Sequence, residues 1–501
     1  MINLLGNRKS LCDGLTRRDL LQIGGIGAWG LTAAGLAQTG RAESTTAAEA
    51  AGFGKAKRCI FIYLFGAAPQ HETFDPKPDA AAEVQGELKA ISTSVSGVSI
   101  GEGLPQTAQV ADRMTIVRSM THPYPLHGVA YAISGLPVYS TDFENRPRDP
   151  ALWPYVGSMA DQYWTRTTGR GQKSILQHVG LPWVLNSQSE DYGPLSGPYG
   201  AFLGQQFDPV WVNFQGQALK AAPKCRHEQP KEYVDPYAAC SKDSRFIFQG
   251  ADQLPGGVTD ARFQLRRSLL SQFDSARSEI DRSLSERDYG YQQSQALSLL
   301  TSPQLRQALD LNLEPESIRE RYGYTLFGQS CLAARRLVEA GSRFISVFWD
   351  AYGTYFSGGW DTHQNHYPRL KQYLLPGFDP AFATLILDLE QRGLLDETLI
   401  VCTTEHGRTP KIDGGPAGAA RHHWSKVYST VLAGGGVHAG AVVGKSDPLG
   451  GDVAECPITP KDIQATALHL LGVPPESLVY DRQSRPYPLA GAGEVRPELI
   501  A

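Results

Sequence analysis

The length, charge and composition of the chain exclude some classes of protein. Its 501 residues can form two to four domains at roughly 100–200 residues per domain. The 47 basic and 51 acidic side chains leave a formal net charge of -4. This balance argues against a nucleic-acid-binding protein, because such proteins carry a basic face or stripe. The 52 glycines and 33 prolines indicate a soluble α/β protein with many loops.

The first 42 residues have the pattern of an export signal. Arg17 and Arg18 precede a moderately apolar, glycine-rich run that ends in small residues at Ala42, as in secretory signals. The stretch RRDLL resembles a twin-arginine signal in particular. Glycines interrupt the run, whereas a stable membrane anchor needs about 20 strongly apolar residues. We therefore expect a periplasmic or secreted protein without a stable anchor after cleavage; the alternative is an amphipathic helix of the mature fold.

The cysteines predict one disulfide bond and no cysteine metal site. Cys225 and Cys240 lie in a proline-rich, polar stretch and can form a disulfide in an oxidising periplasm. The sequence contains no CxxC pair, so a zinc site made of cysteines is not expected.

Apolar runs alternate with amphipathic helical patterns after the signal. Cys59–Phe65 is a continuous apolar run, typical of a strand that is buried on both faces. Similar runs occupy Met114–Ser119, Arg343–Trp349 and Thr398–Thr403. Strands that alternate with helices predict a mainly parallel sheet with helices on both faces.

The domain plan divides the α/β fold into two parts. We expect a linker (43–56), a first α/β part (57–150), an insertion (151–330), a second α/β part (331–490) and a tail (491–501). The insertion is aromatic and rich in glycine and proline in its first half, and charged and helical in its second half. We expect it to cover the carboxyl edge of the sheet, where open α/β sheets bind ligands.

Three loops that follow predicted strands carry acidic and histidine side chains. The candidate metal ligands in and just after them are His71, Asp75, Asp361, His363, Glu405, His406 and His423. Because the carboxyl ends of parallel strands meet at one edge, these residues can converge there. Mixed carboxylate and imidazole ligands suit zinc, manganese, iron or, with more oxygen ligands, calcium. The sequence therefore predicts a divalent metal ion; the alternative is a set of polar turns with incidental histidines.

The stretch GGWDTH places a carboxylate and an imidazole two residues apart. Side chains two residues apart in extended backbone point the same way, so Asp361 and His363 can bind one ion while Trp360 packs into the sheet. We expect His366, three residues further on, to support a ligand or to lie at the surface.

Motifs along almost all of the mature chain resemble the bacterial family catalogued as domain of unknown function 1501. They include ETFDPKPD, GQSCLAARRLVEAG, WDTH, GRTP, LAGGG and TPKDIQAT. That family is similar to the alkaline phosphatase and sulfatase superfamily, which implies a layered α/β sandwich with metal ligands on loops at the carboxyl edge of the sheet. By position, Asp361, His363 and His423 resemble the ligands of that superfamily, and Glu405 with His406 resembles its Asp-His pair.

Two positions depart from the superfamily pattern. Its first strand normally ends in a ligand aspartate, whereas nothing acidic follows this first strand before Glu72; His71 or Asp75 are the candidate substitutes. Pro125 occupies the position near which sulfatases carry their nucleophile, and proline has no nucleophilic group.

The catalytic candidates are therefore drawn from neighbouring residues. His127, with Thr121 as the other nearby candidate, can act as a nucleophile or as a general acid or base; the alternative is a helix-capping or core histidine. Arg408 can bind an oxyanion in bidentate fashion; the alternative is an ion pair with a neighbouring acid.

Together these features predict a metal-dependent hydrolase of phosphate or sulfate esters, acting on a small-molecule or glycan ester. The alternative is a non-catalytic periplasmic protein that binds metal or an anionic glycan on the same fold, because fold alone does not fix function.

We expect Arg17→Lys combined with Arg18→Lys to block export of a folded protein, because lysine does not reproduce the planar guanidinium. Cell fractionation should find the double variant in the cytoplasm and the control variant Arg8→Lys in the periplasm. Periplasmic recovery of the double variant at the wild-type level would contradict the signal assignment.

Overall fold

The structure is a computed structural model of the chain. It describes residues 51–124, 127–134, 146–149, 151–168, 176–185, 195–216, 240, 244–248, 302–349, 359–414 and 419–501. The chain divides into two units, Met1–Phe53 and Gly54–Ala501, and the fold below is that of the second. The predicted export signal lies outside the described residues. So does Cys225, and the predicted disulfide bond therefore stays a prediction.

The described strands and helices are labelled in chain order. The strands are β1 (Arg58–Leu64), β2 (Ala90–Ser92), β3 (Ser99–Gly101), β4 (Met114–Met120), β5 (His178–Leu181), β6 (Val210–Gln215), β7 (Arg245–Phe248), β8 (Phe344–Trp349), β9 (Thr398–Thr403), β10 (Gly407–Arg408), β11 (His423–Trp424), β12 (Tyr428–Ala433), β13 (Val442–Val443), β14 (Lys445–Ser446), β15 (Val453–Glu455), β16 (Leu478–Tyr480) and β17 (Pro486–Pro488). The α-helices are α1 (Ala82–Gln85), α2 (Pro105–Gln109), α3 (Val129–Ser134), α4 (Val156–Thr168), α5 (Pro303–Leu309), α6 (Glu316–Tyr322), α7 (Leu326–Glu339), α8 (His366–Arg369), α9 (Leu375–Gln391) and α10 (Pro460–Leu470). A π-helical turn, Leu370–Leu374, joins α8 to α9.

A large mixed sheet forms the middle layer of the fold. Within the described part of the chain it has nine strands in the order β13-β4-β12-β9-β1-β8-β5-β6-β7. Strand β1 pairs in parallel with β8 and β9, whereas β12 and β7 are antiparallel to their neighbours. The predicted, mainly parallel sheet is confirmed, and its four predicted strands begin and end within one residue of those observed.

Helices cover both faces of the sheet. Alternate residues of β1 belong to two different apolar cores: Ile60 and Ile62 pack with residues of α7 and α9, and Cys59 and Phe61 pack with residues of α4 and α10. Every residue of β8 and β9 is buried, as expected for strands covered on both sides. The predicted three-layer α/β sandwich is therefore confirmed.

The described part of the predicted insertion and the predicted tail both pack as parts of the fold. In the described part of 151–330, β5, β6 and β7 extend the sheet beyond β8; the predicted cover over the carboxyl edge stays a prediction, because 217–239 and 249–301 lie outside the described residues. The tail packs against the fold, since Leu499 is buried and the amide of Ala501 donates to Gly436 O over 3.0 Å. No helix among the described residues has both the length and the apolar character needed to cross a membrane.

Candidate metal centre

Four side chains from three distant stretches of the chain converge beyond the carboxyl ends of the central strands. They are His127, Asp361, His363 and His423, and one potential ligand atom from each lies within 4.8 Å of all the others. We call these four residues the ligand group. His127 follows β4, Asp361 and His363 follow β8, and His423 begins β11.

The distances within the ligand group suit a metal ion. Asp361 Oδ2 lies 3.2 Å from His127 Nε2, and Asp361 Oδ1 lies 3.1 Å from His363 Nε2 and 3.7 Å from His423 Nε2. The His363 and His423 Nε2 atoms are 2.8 Å apart. Nitrogen and oxygen ligands about 2.0–2.1 Å from a tetrahedral zinc ion lie about 3.3 Å from one another. The group can therefore hold a metal ion after small shifts of its imidazole rings.

The loop that carries Asp361 is held close to the end of β1. Trp360 is buried and packs against Trp349 and Phe378, with ring centroids 5.5 and 5.9 Å away. Its amide donates to Phe65 O over 2.9 Å. Gly66 makes this approach possible, because a Cβ atom there would lie 2.3 Å from the Asp361 amide nitrogen. The same glycine has φ +104°, a conformation that other residues rarely adopt.

Arg408 binds Asp361 instead of facing a substrate. Its guanidinium is wholly buried, and Nη2 lies 2.5 Å from Asp361 Oδ1. Nε donates to Ala67 O over 3.1 Å and Nη1 to Arg421 O over 3.2 Å. These contacts use its donors within the protein, so the predicted oxyanion clamp is corrected to the ion pair that was its alternative.

The Asp361 carboxylate is held ionised although it is buried. Burial acts to raise its pKa, but hydrogen bonds from His127 and His423 and the charge of Arg408 outweigh that effect and bring the pKa well below its ordinary value. Burial lowers the pKa of His363 to about 4, so this imidazole is neutral at pH 7 and has a lone pair to offer.

Glu405 holds His127 and is not itself a member of the ligand group among the described residues. Its Oε1 atom accepts from His127 Nδ1 and from the amide of Gly66, both over 2.7 Å. A carboxylate behind one ring nitrogen fixes the tautomer and leaves the other nitrogen for a metal. Burial lowers the pKa of His127, but its bonds to Asp361 and Glu405 raise it to about 9, and coordination through Nε2 requires loss of that proton.

His406 lies beside the ligand group without joining it. Its ring centroid is 4.6 Å from that of His423 and 5.2 Å from that of His127. Nδ1 donates to Gly407 O over 2.7 Å, which leaves Nε2 as an acceptor, buried and without a hydrogen-bond partner among the described residues. Burial lowers its pKa well below the ordinary value, so the ring is neutral and can accept a hydrogen bond from water or a hydroxyl.

His71 and Asp75, the remaining predicted ligands, have partners elsewhere. His71 Nε2 lies 2.8 Å from Leu449 O. Asp75 accepts from Lys77 Nζ over 2.9 Å and forms a longer ion pair with Arg118 at 3.6 Å. Within the described part of the chain, neither residue belongs to the ligand group.

His366 supports the loop that carries Asp361 and His363 through a contact with Thr362. It is wholly buried, so of its two predicted roles, support of a ligand and a place at the surface, only the first fits the structure. Its Nε2 atom lies 3.2 Å from Glu72 Oε2, and Glu72 in turn pairs with Arg421 at 2.7 Å. Thr362 Oγ1 lies 2.7 Å from the other ring nitrogen of His366, which ties this buried network to the residue after Asp361.

We expect Gly66→Ala to reduce metal binding. The new Cβ atom would push the Asp361 loop away from β1, and a positive φ costs about 1–3 kcal/mol for a residue other than glycine. Metal per chain after zinc loading, measured by plasma mass spectrometry, should fall well below the wild-type value.

Gly97→Ala is the matched control for this change. Gly97 has φ +78°, and nothing lies within 4 Å of the position that an alanine methyl group would occupy, so the variant carries the backbone strain without the collision. It should keep the wild-type zinc content. Equal zinc content in wild type and Gly66→Ala would show that the close approach at Gly66 does not shape the site.

Comparisons with known proteins place the chain in a family. No curated protein matches the sequence. Three solved structures are similar to it. Ps i-CgsB in complex with k-i-k-neocarrahexaose is 10% identical, with a TM-score of 0.36 over 83% of this chain and 72% of that chain. The PsFucS1 sulfatase from Pseudoalteromonas sp. is 10% identical, with a TM-score of 0.31 over 83% of this chain and 68% of that chain, and the phosphonate monoester hydrolase of Agrobacterium radiobacter is 14% identical, with a TM-score of 0.34 over 88% and 77%. The family described as "Protein of unknown function (DUF1501)" matches residues 56–500, and the chain belongs to that family.

Proposed function

We propose that this chain is an exported, metal-dependent hydrolase of phosphate or sulfate esters, with the ligand group as its catalytic centre. The observation that carries the proposal is the convergence of His127, Asp361, His363 and His423 from three distant stretches of the chain. Their imidazole side chains are 24%, 29% and 22% exposed for His127, His363 and His423, so a substrate can approach from the solvent side.

The donor set selects among the candidate metals. Three imidazole nitrogens and one carboxylate suit zinc, manganese or iron. Calcium takes about six to eight oxygen ligands, and the ligand group offers oxygen from Asp361 alone. We therefore favour a transition metal or zinc over calcium.

The protein's own residues prepare the centre for hydrolysis. A divalent ion held here would act as a Lewis acid and lower the pKa of water to about 7. Arg408 fixes the Asp361 carboxylate, and Glu405 fixes the His127 ring, so that little reorganisation is needed. The Nε2 atom of His406, which has no hydrogen-bond partner within the described part of the chain, can accept a hydrogen bond from the attacking water and orient it.

Water is the nucleophile in this proposal. In this proposal the histidines and the aspartate of the ligand group bind the metal ion, so none of them is left to attack the ester. Pro125, at the position that resembles the nucleophile position of sulfatases, lies outside the described residues. The ester class follows from the resemblance of Asp361, His363, Glu405, His406 and His423 to superfamily ligands. Small-molecule or glycan esters are the substrates that this resemblance suggests.

One observation favours a second function, a non-catalytic protein that binds metal or a glycan. Arg408, the predicted oxyanion clamp, donates its hydrogen bonds to backbone carbonyls and to Asp361. A site that hydrolyses phosphate or sulfate esters needs positive charge near the reacting group. With Arg408 occupied, the metal ion alone would have to supply that charge in the hydrolase, whereas a binding protein has no such need.

Hydrolysis assays separate the two functions. Protein loaded with zinc, manganese or iron(II) should hydrolyse at least one of 4-nitrophenyl phosphate, bis(4-nitrophenyl) phosphate and 4-nitrophenyl sulfate, and a chelator should abolish the activity. Asp361→Asn should lower kcat more than about 100-fold, since loss of an outer hydrogen-bond partner alone costs 10–100-fold. The control variant His438→Ala, at an exposed histidine, should keep wild-type activity.

The outcomes differ in what they reject. A chain that holds stoichiometric metal but hydrolyses none of the three esters is the binding protein of the second proposal. A chain that takes up none of the three metals contradicts every metal-dependent role for the ligand group.

A further inference from the structure

We propose that His422, which is not a member of the ligand group, is a positioning residue of the metal centre. It links a surface carboxylate, Asp413, to the ligand His363 and sets which nitrogen of His363 faces the metal. The inference rests on the proposed metal centre. It adds a residue outside the ligand group that holds one of the ligands in place.

Two contacts form a continuous path from the surface to the ligand group. Asp413 Oδ2 lies 3.2 Å from His422 Nε2, and His422 Nδ1 lies 2.9 Å from His363 Nδ1. The far side of the His363 ring carries Nε2, which lies 3.1 Å from Asp361 Oδ1. Each of these two histidines therefore uses both of its ring nitrogens.

The direction of these hydrogen bonds follows from the carboxylate. An ionised aspartate only accepts hydrogen bonds, and a neutral imidazole has one donor and one acceptor nitrogen. His422 therefore donates from Nε2 to Asp413 and accepts at Nδ1, and the donor to that atom is His363 Nδ1–H. The remaining nitrogen of His363, Nε2, then carries the lone pair that a metal ion bound between it and Asp361 would take up; without that ion, the ionised Asp361 carboxylate 3.1 Å away would instead favour a proton on Nε2.

The backbone fixes His422 even though its side chain is exposed. Its carbonyl accepts from the Thr409 amide over 2.9 Å, and its amide donates to Thr409 Oγ1 over 3.0 Å. Asp413 and Ala420 exchange two backbone hydrogen bonds of 2.9 Å. This ribbon, which continues into the β10–β11 pair, holds Asp413 and His422 close enough for their side chains to contact each other.

A carboxylate lies behind His363, as one lies behind His127, but it acts through a second histidine. Glu405 accepts directly from His127 Nδ1 and is buried, whereas Asp413 acts on His363 through His422. Because the Asp413 side chain is 78% exposed and that of His422 47%, solvent weakens the outer bond more than the inner one. We therefore expect His422 to matter more than Asp413.

Two substitutions of His422 separate hydrogen bonding from packing. His422→Phe keeps a ring but removes the acceptor, whereas His422→Asn keeps an oxygen acceptor close to the position of Nδ1 and loses the ring. Cobalt(II) is the probe, because its visible spectrum reports the geometry of its ligands and its affinity can be measured by titration of the full chain.

His422→Phe should lower cobalt affinity about 10-fold or more, in the range found for outer partners of metal ligands, and should shift the cobalt spectrum. His422→Asn should stay within about 3-fold of wild type, and Asp413→Asn should fall between the two. His438→Phe, at an exposed histidine elsewhere on the surface, is the control and should match wild type.

Wild-type affinity and spectrum for His422→Phe would overturn the positioning role while leaving the metal centre intact. Equal losses in His422→Phe and His422→Asn would also overturn it, because the acceptor would then have no part in the effect. A wild-type chain that binds no cobalt would instead reject the metal centre itself, and this inference with it.

Discussion

The buried carboxylate of Asp361 is the group on which the rest of the site depends. Removing an ionised carboxylate from water is costly unless charges and donors replace the lost hydration, and here Arg408, His127 and His423 replace it. The dependence is mutual, because Arg408 is itself wholly buried and Asp361 is its partner of opposite charge. Loss of either member leaves an uncompensated charge in the interior, which commonly costs about 3–5 kcal/mol.

The fold supplies the geometry that lets this pair form. Strands β1, β8 and β9 lie side by side and in parallel, so the segments that follow them leave the sheet at one edge. Gly66 then admits the Asp361 loop to a distance that a side chain would forbid. The Gly66 amide also donates to Glu405. The end of β1 therefore supports both the loop after β8 and the loop after β9.

Sequence patterns predict the strands that position the site better than they predict what each side chain in the site contacts. The apolar runs locate four strands within one residue. The alternation of side chains in extended backbone predicts that Asp361 and His363 face one ion, and the Oδ1 and Nε2 atoms of these residues lie 3.1 Å apart. No local pattern reveals which partner a buried charge takes, and for this reason the roles of Arg408 and Glu405 emerge only from tertiary contacts. His127 follows a strand like the other candidates, and that position is a signal for a ligand.

The most direct test of this account is the position of a metal ion in a crystal of the zinc-loaded protein. Anomalous diffraction recorded on both sides of the zinc absorption edge should show one strong peak among His127 Nε2, Asp361, His363 Nε2 and His423 Nε2, about 2.0–2.2 Å from each ligand atom. A zinc peak at another position, with these four side chains uncoordinated, would contradict it.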